Sequence, residues 1–208
     1  VLIYDLLGHG DSKDPEGEIS LSMFSDQLLQ IINPIKLKKF ILVGFSLGSM
    51  ISRKFASLHP SIVEALVLLN SPNRLLDQER DEILERAKLL KEEGPESTTD
   101  AAIKRWFSNT FQKKNPHIVQ LVRNWVNNNR KDIYSKVYPM LYYGSIDLKS
   151  LNESKPTLII TCDQDFANGP NAAKEIAKNF KDSNVCILQN LRHMALVEDY
   201  NTVFVKID

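Results

Sequence analysis

The chain has 208 residues, a length that suits one domain with a sizeable core. Its 26 lysines and arginines balance 26 aspartates and glutamates, so nothing in the net charge points to nucleic acid or an acidic membrane as a partner. No apolar run approaches the ~20 residues of a membrane-spanning helix. Cys162 and Cys186 lie in apolar runs, and the histidines lack the spacing of zinc ligands. We therefore expect free cysteines, no metal site and a reducing compartment such as the cytoplasm.

Short apolar runs along the chain have the residue types of β-strands. Most are continuous and not alternating, as expected for parallel strands that are covered on both faces. The runs are Val1–Tyr4, Lys39–Val43, Ala65–Leu69, Thr157–Thr161 and Asn184–Leu188. Helical patterns separate them at Ser22–Ile32, Leu47–Leu58 and Asn171–Phe180, and a last one begins near Val197. This alternation predicts an α/β fold, a mostly parallel sheet flanked by helices with right-handed crossovers.

The middle of the chain differs, because residues 73–150 carry helical patterns and no convincing strand. The helical patterns cover Leu75–Glu93, Thr99–Phe111, a segment that opens at Asn115 and Pro116, and Ile133–Tyr143. An all-helical insertion between two strands is typical of a cap over the sheet. We predict a cap at residues 73–150, inserted into a core made of residues 1–72 and 151–208.

A G-x-S-x-G sequence, centred on Ser46, stands between a predicted strand and a predicted helix. In such a turn the serine has strained backbone angles and its hydroxyl projects into open space. The flanking Gly44 and Gly48 would let the helix start close to the strand. The pattern alone arises by chance in roughly one chain in fifteen of this size, so the strand–helix context carries the interpretation. We interpret Ser46 as a nucleophile, the alternative being a serine in a glycine-rich turn without chemistry.

A serine nucleophile needs a base to take its proton and a third group to orient that base. Asp165 follows the strand predicted at Thr157–Thr161, and His193 follows the last predicted strand. Because the carboxyl ends of parallel strands meet at one edge of a sheet, we expect Ser46, Asp165 and His193 to lie together. Asp163 is the rival for the acid, and taken alone His193 would be a surface histidine.

Several motifs resemble those of the α/β-hydrolase superfamily, in the cap-bearing branch that includes esterases and enol-lactonases. Residues 5–12 are similar to its D-x-x-G-x-G-x-S loop, and residues 43–49 to its nucleophile elbow. Residues 162–165 stand where the family has G-x-x-D, and His193 precedes an acidic helix start as the family's histidine does. The sequence departs from the pattern with Cys162 in place of glycine and with Pro170 one residue late.

The resemblance implies a serine hydrolase that cleaves an ester or related acyl bond without a cofactor. The aromatic and methionine side chains of the predicted cap helices suggest that the substrate is a small, largely apolar molecule. The resemblance assigns Ser46 as nucleophile, His193 as base and Asp165 as the group that orients the imidazole. The N–H of Leu47 would stabilise the oxyanion. The alternatives are a thioesterase or a cofactor-free haloperoxidase with the same triad, and a non-catalytic ligand-binding protein. Nothing in the sequence indicates the oligomeric state.

Large apolar side chains would line the pocket of such an enzyme. The candidates are Phe45, beside the nucleophile, and Trp106, Trp125 and Met140 in the predicted cap. For the three cap residues the alternative interpretation is a place in the apolar core of the cap.

The first residue, Val1, already lies in a predicted strand, and the last, Asp208, in a predicted helix. We therefore expect an internal piece of a longer protein, in which a signal peptide would not be visible. The resemblance implies that further strands precede Val1 and that a loop among them donates the second N–H of the oxyanion hole. Because loss of one such donor costs about 10²–10³ in turnover, we expect this piece to be nearly inactive.

Overall fold

The computed structural model describes residues 1–149 and 154–207, and a parallel sheet lies at its centre. The strands of the sheet are β1 (Phe40–Phe45), β2 (Val63–Leu69), β3 (Thr157–Cys162) and β4 (Ser183–Leu188). They lie side by side in chain order, and every neighbouring pair is parallel. The predicted α/β class with a parallel sheet is confirmed.

Helices surround the sheet and fill the connection between β2 and β3. They are α1 (Leu21–Ile35), α2 (Leu47–Leu58), α3 (Asp77–Glu93), α4 (Glu96–Trp106), α5 (Asn109–Lys114), α6 (Pro116–Asn127), α7 (Lys131–Val137), α8 (Met140–Lys149), α9 (Pro170–Ala177), α10 (Ala195–Glu198) and α11 (Tyr200–Phe204). Six of these, α3 to α8, fall within the predicted cap, where the described residues form no strand. The predicted boundary of the cap between residues 150 and 151 lies outside the described part of the chain.

Two predicted helices are each divided in two. The pattern at Thr99–Phe111 breaks because Phe107 has an extended backbone and the Ser108 side chain accepts a hydrogen bond from the Phe111 N–H, which starts α5. The helix predicted from Val197 is split at Asp199, whose carboxylate accepts from the Thr202 N–H and begins α11. In both places a capping side chain ends an apolar pattern that continues through the break.

The strand predicted at Val1–Tyr4 is absent, and this prediction is wrong. Val1, Leu2 and Ile3 are exposed, while Tyr4 packs against the core without strand pairing. A strand needs a neighbour for its backbone N–H and C=O groups, and no described segment pairs with these residues. The apolar composition that suggested a strand is therefore not sufficient to form one.

Apolar side chains cover both faces of the sheet. One cluster joins Leu66, Leu68 and Ile159 of the strands to α1, α2 and α9. The alternate residues Val67 and Ile160 face a second cluster with α10 and α11. A third cluster joins α7 and α8 to α1 and α2, and a fourth fills the space between α4 and α6. The continuous apolar runs of β2 and β3 follow from burial on both sides.

The loop at residues 5–12 is held against α1 by a buried glutamine. Gln27 donates from Nε2 to the Asp5 carbonyl at 2.9 Å and accepts from the Leu7 N–H at 3.1 Å. The Ser12 hydroxyl also donates to the Asp5 carbonyl, at 2.6 Å. His9 lies in this loop with Nδ1 3.1 Å from the Leu7 carbonyl, and we assign it no catalytic role.

Both cysteines are free, Cys162 being buried and Cys186 half-buried. Burial raises the pKa of the Cys162 thiol to about 12, so this thiol stays protonated at neutral pH. Within residues 1–149 and 154–207, no helix has both the length and the apolar character to cross a membrane.

Candidate active site

Ser46 occupies a strained turn between β1 and α2. Its backbone has φ 51° and ψ −119°, and a positive φ is costly for a residue with a Cβ. Its N–H donates to the Leu69 carbonyl of β2 at 2.9 Å, which fixes the turn to the carboxyl edge of the sheet. The Ser46 side chain is half-buried and lines a cavity of the molecule.

The two glycines of the motif have different functions in the turn. A Cβ on Gly44 would lie 2.5 Å from the Gly48 carbonyl oxygen and 2.6 Å from the Ser49 Cα, so a side chain there would force the helix away from the strand. A Cβ on Gly48 would meet no described heavy atom within 4 Å. The close approach of strand and helix therefore requires glycine only at position 44.

The structure brings Ser46, His193 and Asp165 together at the carboxyl edge of the sheet. His193 Nε2 lies 3.2 Å from Ser46 Oγ, and His193 Nδ1 lies 2.8 Å from Asp165 Oδ2. The histidine and the aspartate are only 7% and 4% exposed. A carboxylate only accepts hydrogen bonds, so Nδ1 carries the proton and Nε2 is free to accept from the serine. This chain of contacts can remove a proton from Ser46.

Asp165 is ionised and held by four donors. Its Oδ2 accepts from His193 and from Asn70 Nδ2 at 2.8 Å, and its Oδ1 accepts from the N–H groups of Ala167 and Asn168 at 3.1 and 3.0 Å. Burial alone would raise the pKa of this carboxyl, but the hydrogen bonds and the neighbouring imidazole together hold the pKa below its ordinary value. The rival Asp163 is exposed and makes no such contact among the described residues.

Sequence reasoning missed the role of Asn70. It follows β2, one residue after the strand ends, and has a positive φ of 47°. Its amide donates to Asp165, while its carbonyl accepts from Asn168 Nδ2 at 3.0 Å. The position of Asn70 at the same sheet edge as the other groups was the signal that could have identified it.

The backbone N–H of Leu47 is a candidate oxyanion donor. Leu47 is the first residue of α2 and lines the cavity next to Ser46. Its N–H has no acceptor in the described part of the chain. A free N–H at a helix N-terminus favours negative charge beside the serine.

A cavity of about 320 Å³ lies over Ser46 and His193, and residues of α3, α4, α7 and α8 form much of its wall. Apolar side chains from both parts of the chain line it, among them Pro72, Ile83 and Leu141. Charged and phenolic side chains line it as well: Arg74, Arg86, Arg105, Glu79, Glu82, Tyr134 and Tyr138. The volume falls at the lower end of the range for small-molecule sites.

Of the predicted pocket residues, only Trp106 lines this cavity, with its ring 6.3 Å from the His193 ring. Phe45 does not line the cavity, and its ring packs against the imidazole with 5.0 Å between the ring centres. Trp125 is 56% exposed on α6, and Met140 of α8 is buried against α1 and α2. Phe45, Trp125 and Met140 are not among the residues that line this cavity, because apolar character alone does not say which side chains of a strand or helix face it.

The end of α4 is hydrogen-bonded to the loop that carries the histidine. The N–H of Met194 donates to the Trp106 carbonyl at 3.0 Å. Arg192 Nη1 donates to the carbonyls of Lys104 and Phe107 at 2.6 and 3.0 Å. The end of α4 and the position of His193 are therefore coupled. Within the described residues, no cluster of three or more His, Cys, Asp or Glu side chains could hold a metal ion.

A parallel sheet that ends in a strained serine, with an acid and a histidine after later strands, is the architecture of an α/β hydrolase. The model of the family described as alpha/beta hydrolase fold matches residues 1–200. The chain belongs to this family.

Curated relatives include two hydrolases from Acinetobacter baylyi. The chain is 24% identical over 196 residues to (E)-2-((N-methylformamido)methylene)succinate hydrolase, covering 93% of this chain and 73% of the relative. It is 22% identical over 165 residues to 3-oxoadipate enol-lactonase 2, covering 79% of this chain and 61% of that relative. The chain thus spans less than two thirds of the second relative's length, and the family and these names together support a hydrolytic function.

Solved structures with the same fold cover nearly all of this chain. The enol-lactonase from Burkholderia xenovorans LB400 superposes with a TM-score of 0.89 at 22% identity, covering 98% of this chain and 77% of that one. A thermophilic esterase from Thermogutta terrifontis superposes with a TM-score of 0.86 at 21% identity, covering 98% and 76%. At these identities the likeness shows the fold alone.

Proposed function

We propose that the protein hydrolyses an ester or lactone bond of a small molecule with a largely apolar body, by way of an acyl-enzyme. The observation that carries the proposal is the continuous chain of contacts from Ser46 Oγ to His193 Nε2 at 3.2 Å and from His193 Nδ1 to Asp165 at 2.8 Å. The names of the relatives, which include an enol-lactonase, are consistent with hydrolysis at an acyl carbon.

In the proposed mechanism Ser46 Oγ attacks the carbonyl carbon while His193 Nε2 takes the hydroxyl proton. Asp165 keeps the Nδ1 proton in place and stabilises the imidazolium that forms. The Leu47 N–H donates to the oxyanion. His193 returns the proton to the leaving oxygen, and a water molecule then attacks the acyl-enzyme with His193 as base and releases the acid.

We further propose that the 208-residue chain turns esters over slowly when it is alone. The Leu47 N–H is the one backbone donor that we place at the oxyanion position within the described residues. An oxyanion hole of this type works with two donors, and loss of one costs about 10²–10³ in turnover. Slow turnover does not prevent covalent capture of the serine by a reactive probe.

The proposal is tested by labelling the protein with a fluorophosphonate probe and by measuring turnover of p-nitrophenyl esters. We expect stoichiometric labelling at Ser46 that is abolished in Ser46→Ala and strongly slowed in His193→Ala. The matched control is Ser57→Ala, which removes a serine hydroxyl from the same helix at its far end and should label normally. Absence of labelling in a folded wild-type protein would leave a binding protein with a hydrolase fold as the better account.

A further inference from the structure

Three arginines of the cap line the cavity over Ser46. Arg74 precedes α3, Arg86 lies on α3 and Arg105 lies on α4, next to the cavity residue Trp106. Cationic side chains at the surface are ordinarily solvated or paired with carboxylates. The hydrogen bonds and ion pairs of these three arginines therefore indicate whether the cavity contains a positive charge that no carboxylate neutralises.

Two of the three guanidinium groups have partners. Arg74 Nη1 forms an ion pair with Glu79 at 3.0 Å, and Glu79 also accepts from two backbone N–H groups. Arg86 Nη1 donates to the Tyr138 hydroxyl at 2.9 Å and lies 5.7 Å from the centre of that ring. The phenol does not neutralise Arg86, so its positive charge remains.

Arg105 differs from both, because it forms no hydrogen bond and no ion pair with any residue of the described chain. It is half-buried, and the arginines near it are Arg86 and Arg74. Burial lowers the pKa of Arg105, and the like charges of these neighbours lower it further. A partly desolvated cation beside other cations is unfavourable unless an anion pairs with it, and no carboxylate of the described residues pairs with Arg105.

We propose, on the basis of the proposed hydrolase function, that Arg105 and Arg86 bind a carboxylate of the substrate while its acyl carbon lies at Ser46. Arg86, Arg105 and Ser46 line the same cavity. Trp106, the residue after Arg105, also lines it, with its ring 6.3 Å from the His193 ring. The substrate is then a molecule with an apolar body and a carboxylate a few carbons from the scissile bond.

A carboxylate fits this cavity better than a phosphate. The guanidinium group offers a planar pair of donors that matches the oxygens of a carboxylate and of a phosphate alike, so the choice between them rests on the other charges in the cavity. Glu79 and Glu82 line the same cavity, and their charges would repel a dianion more than a monoanion. The only positive charges without a carboxylate partner in the described part of the cavity are those of Arg86 and Arg105.

A second cavity, of about 420 Å³, opens between α3 and α4 and is also lined by Arg86 and Arg105. An anion could reach the two arginines from that side without approaching Ser46. The test must therefore separate a carboxylate on the reacting molecule from an anion bound in this second cavity.

The test compares two esters that share an acyl chain length and differ in one charge: mono-p-nitrophenyl adipate and p-nitrophenyl hexanoate. We expect the wild-type protein to prefer the adipate ester in kcat/KM. Arg105→Met should lower kcat/KM for the adipate ester by about tenfold to a hundredfold, mainly through KM. The same variant should change kcat/KM for the hexanoate ester by less than about threefold, and Arg105→Lys should retain part of the preference.

The matched control is Arg80→Met, because Arg80 lies on α3 outside both cavities and pairs with Asp77 and Asp81. It should leave both esters unaffected. Arg105→Met should also melt at the same temperature as the wild type or higher, since it removes a cation that the fold does not pair. A clearly lower melting temperature would show that Arg105 has a structural role and would overturn the assignment.

A binding measurement covers the case of slow turnover. Hexanoate, but not hexanamide or inorganic phosphate, should protect Ser46 from the fluorophosphonate probe, and Arg105→Met should remove that protection.

If the protein is labelled and hydrolyses both esters but Arg105→Met affects them equally, the carboxylate assignment fails while the hydrolase function stands. If hexanoate raises the melting temperature through Arg105 without protecting Ser46, the anion belongs to the second cavity and the assignment is also wrong. Absence of both labelling and hydrolysis defeats the proposed function itself.

Discussion

At the scale of single residues, the carboxylate of Asp165 depends on donors from separate parts of the chain. Asn70 follows β2, whereas Ala167 and Asn168 lie in the loop after β3. Each donor favours the ionised form, and together they exceed the effect of burial. The amide of Asn70 therefore acts through Asp165 and is a positioning group.

We predict that Asn70→Gly lowers kcat for ester hydrolysis about tenfold and leaves KM nearly unchanged, because loss of one donor loosens the aspartate that orients His193. Glycine is chosen because the φ of 47° at Asn70 would strain alanine. Steady-state kinetics check this prediction. An equal rise in KM would show that Asn70 acts on the substrate and not on Asp165.

The same substitution also changes the pH dependence of stability. A carboxyl whose pKa is lowered in the folded state stabilises the protein above its ordinary pKa, and this contribution disappears as the pH falls through the folded value. In Asn70→Gly the folded pKa of Asp165 rises towards its ordinary value, so the stability lost on acidification should be smaller than in the wild type and should be complete at a higher pH. Urea unfolding at a series of values between about pH 5 and pH 3 measures the difference.

At the scale of elements, the turn between β1 and α2 decides where the serine hydroxyl lies. Residues at the end of the strand and the start of the helix approach within backbone contact at Gly44. The helix therefore starts directly behind the nucleophile, with the Leu47 N–H free at its first turn.

We predict that Gly44→Ala destabilises the protein by about 1–3 kcal/mol, because its Cβ would overlap the Gly48 carbonyl and force the turn open. Labelling of Ser46 should slow in the same variant. The matched control is Gly48→Ala, where the added methyl meets open space and the higher helix propensity of alanine changes stability by at most about 1 kcal/mol in its favour. Urea midpoints compare the two, and equal midpoints would contradict the prediction.

The sequence made the central elements predictable for physical reasons that the structure bears out. β2 and β3 are apolar throughout because both faces are buried, and α2 was predicted at its observed bounds, Leu47–Leu58. The run at Val1–Tyr4 has the same composition but no partner strand among the described residues, and composition alone does not determine strand pairing. Spacing and order predict the serine, aspartate and histidine at one edge, and they place Asn70 at that edge as well, but its contact with Asp165 is tertiary and does not follow from the local sequence.

At the scale of the whole molecule, the helices between β2 and β3 and the sheet meet at the candidate site. Arg192 and Met194, on either side of His193, hydrogen-bond to backbone carbonyls at the end of α4. The segment between β2 and β3 also supplies the arginines that line the cavity. Which of its aromatic side chains would face the cavity was not predictable, because Trp106 and Trp125 both lie on amphipathic helices and only packing separates them.

The free edge of β1 has a consequence for handling the protein. Ile41 and Val43 are 56% and 55% exposed on a strand with a described neighbour on one side only. Unpaired backbone groups next to apolar side chains form a template on which a strand from another molecule can add. We predict that the 208-residue chain associates as its concentration rises, and that Val43→Lys reduces this association without altering the labelling of Ser46. Sedimentation velocity over a range of concentrations measures this association, and a wild-type chain that stays monomeric throughout would contradict the prediction. If the chain does associate, kinetic measurements on this hydrolase need low protein concentrations or the Val43→Lys variant, so that a loss of monomer is not mistaken for a loss of activity.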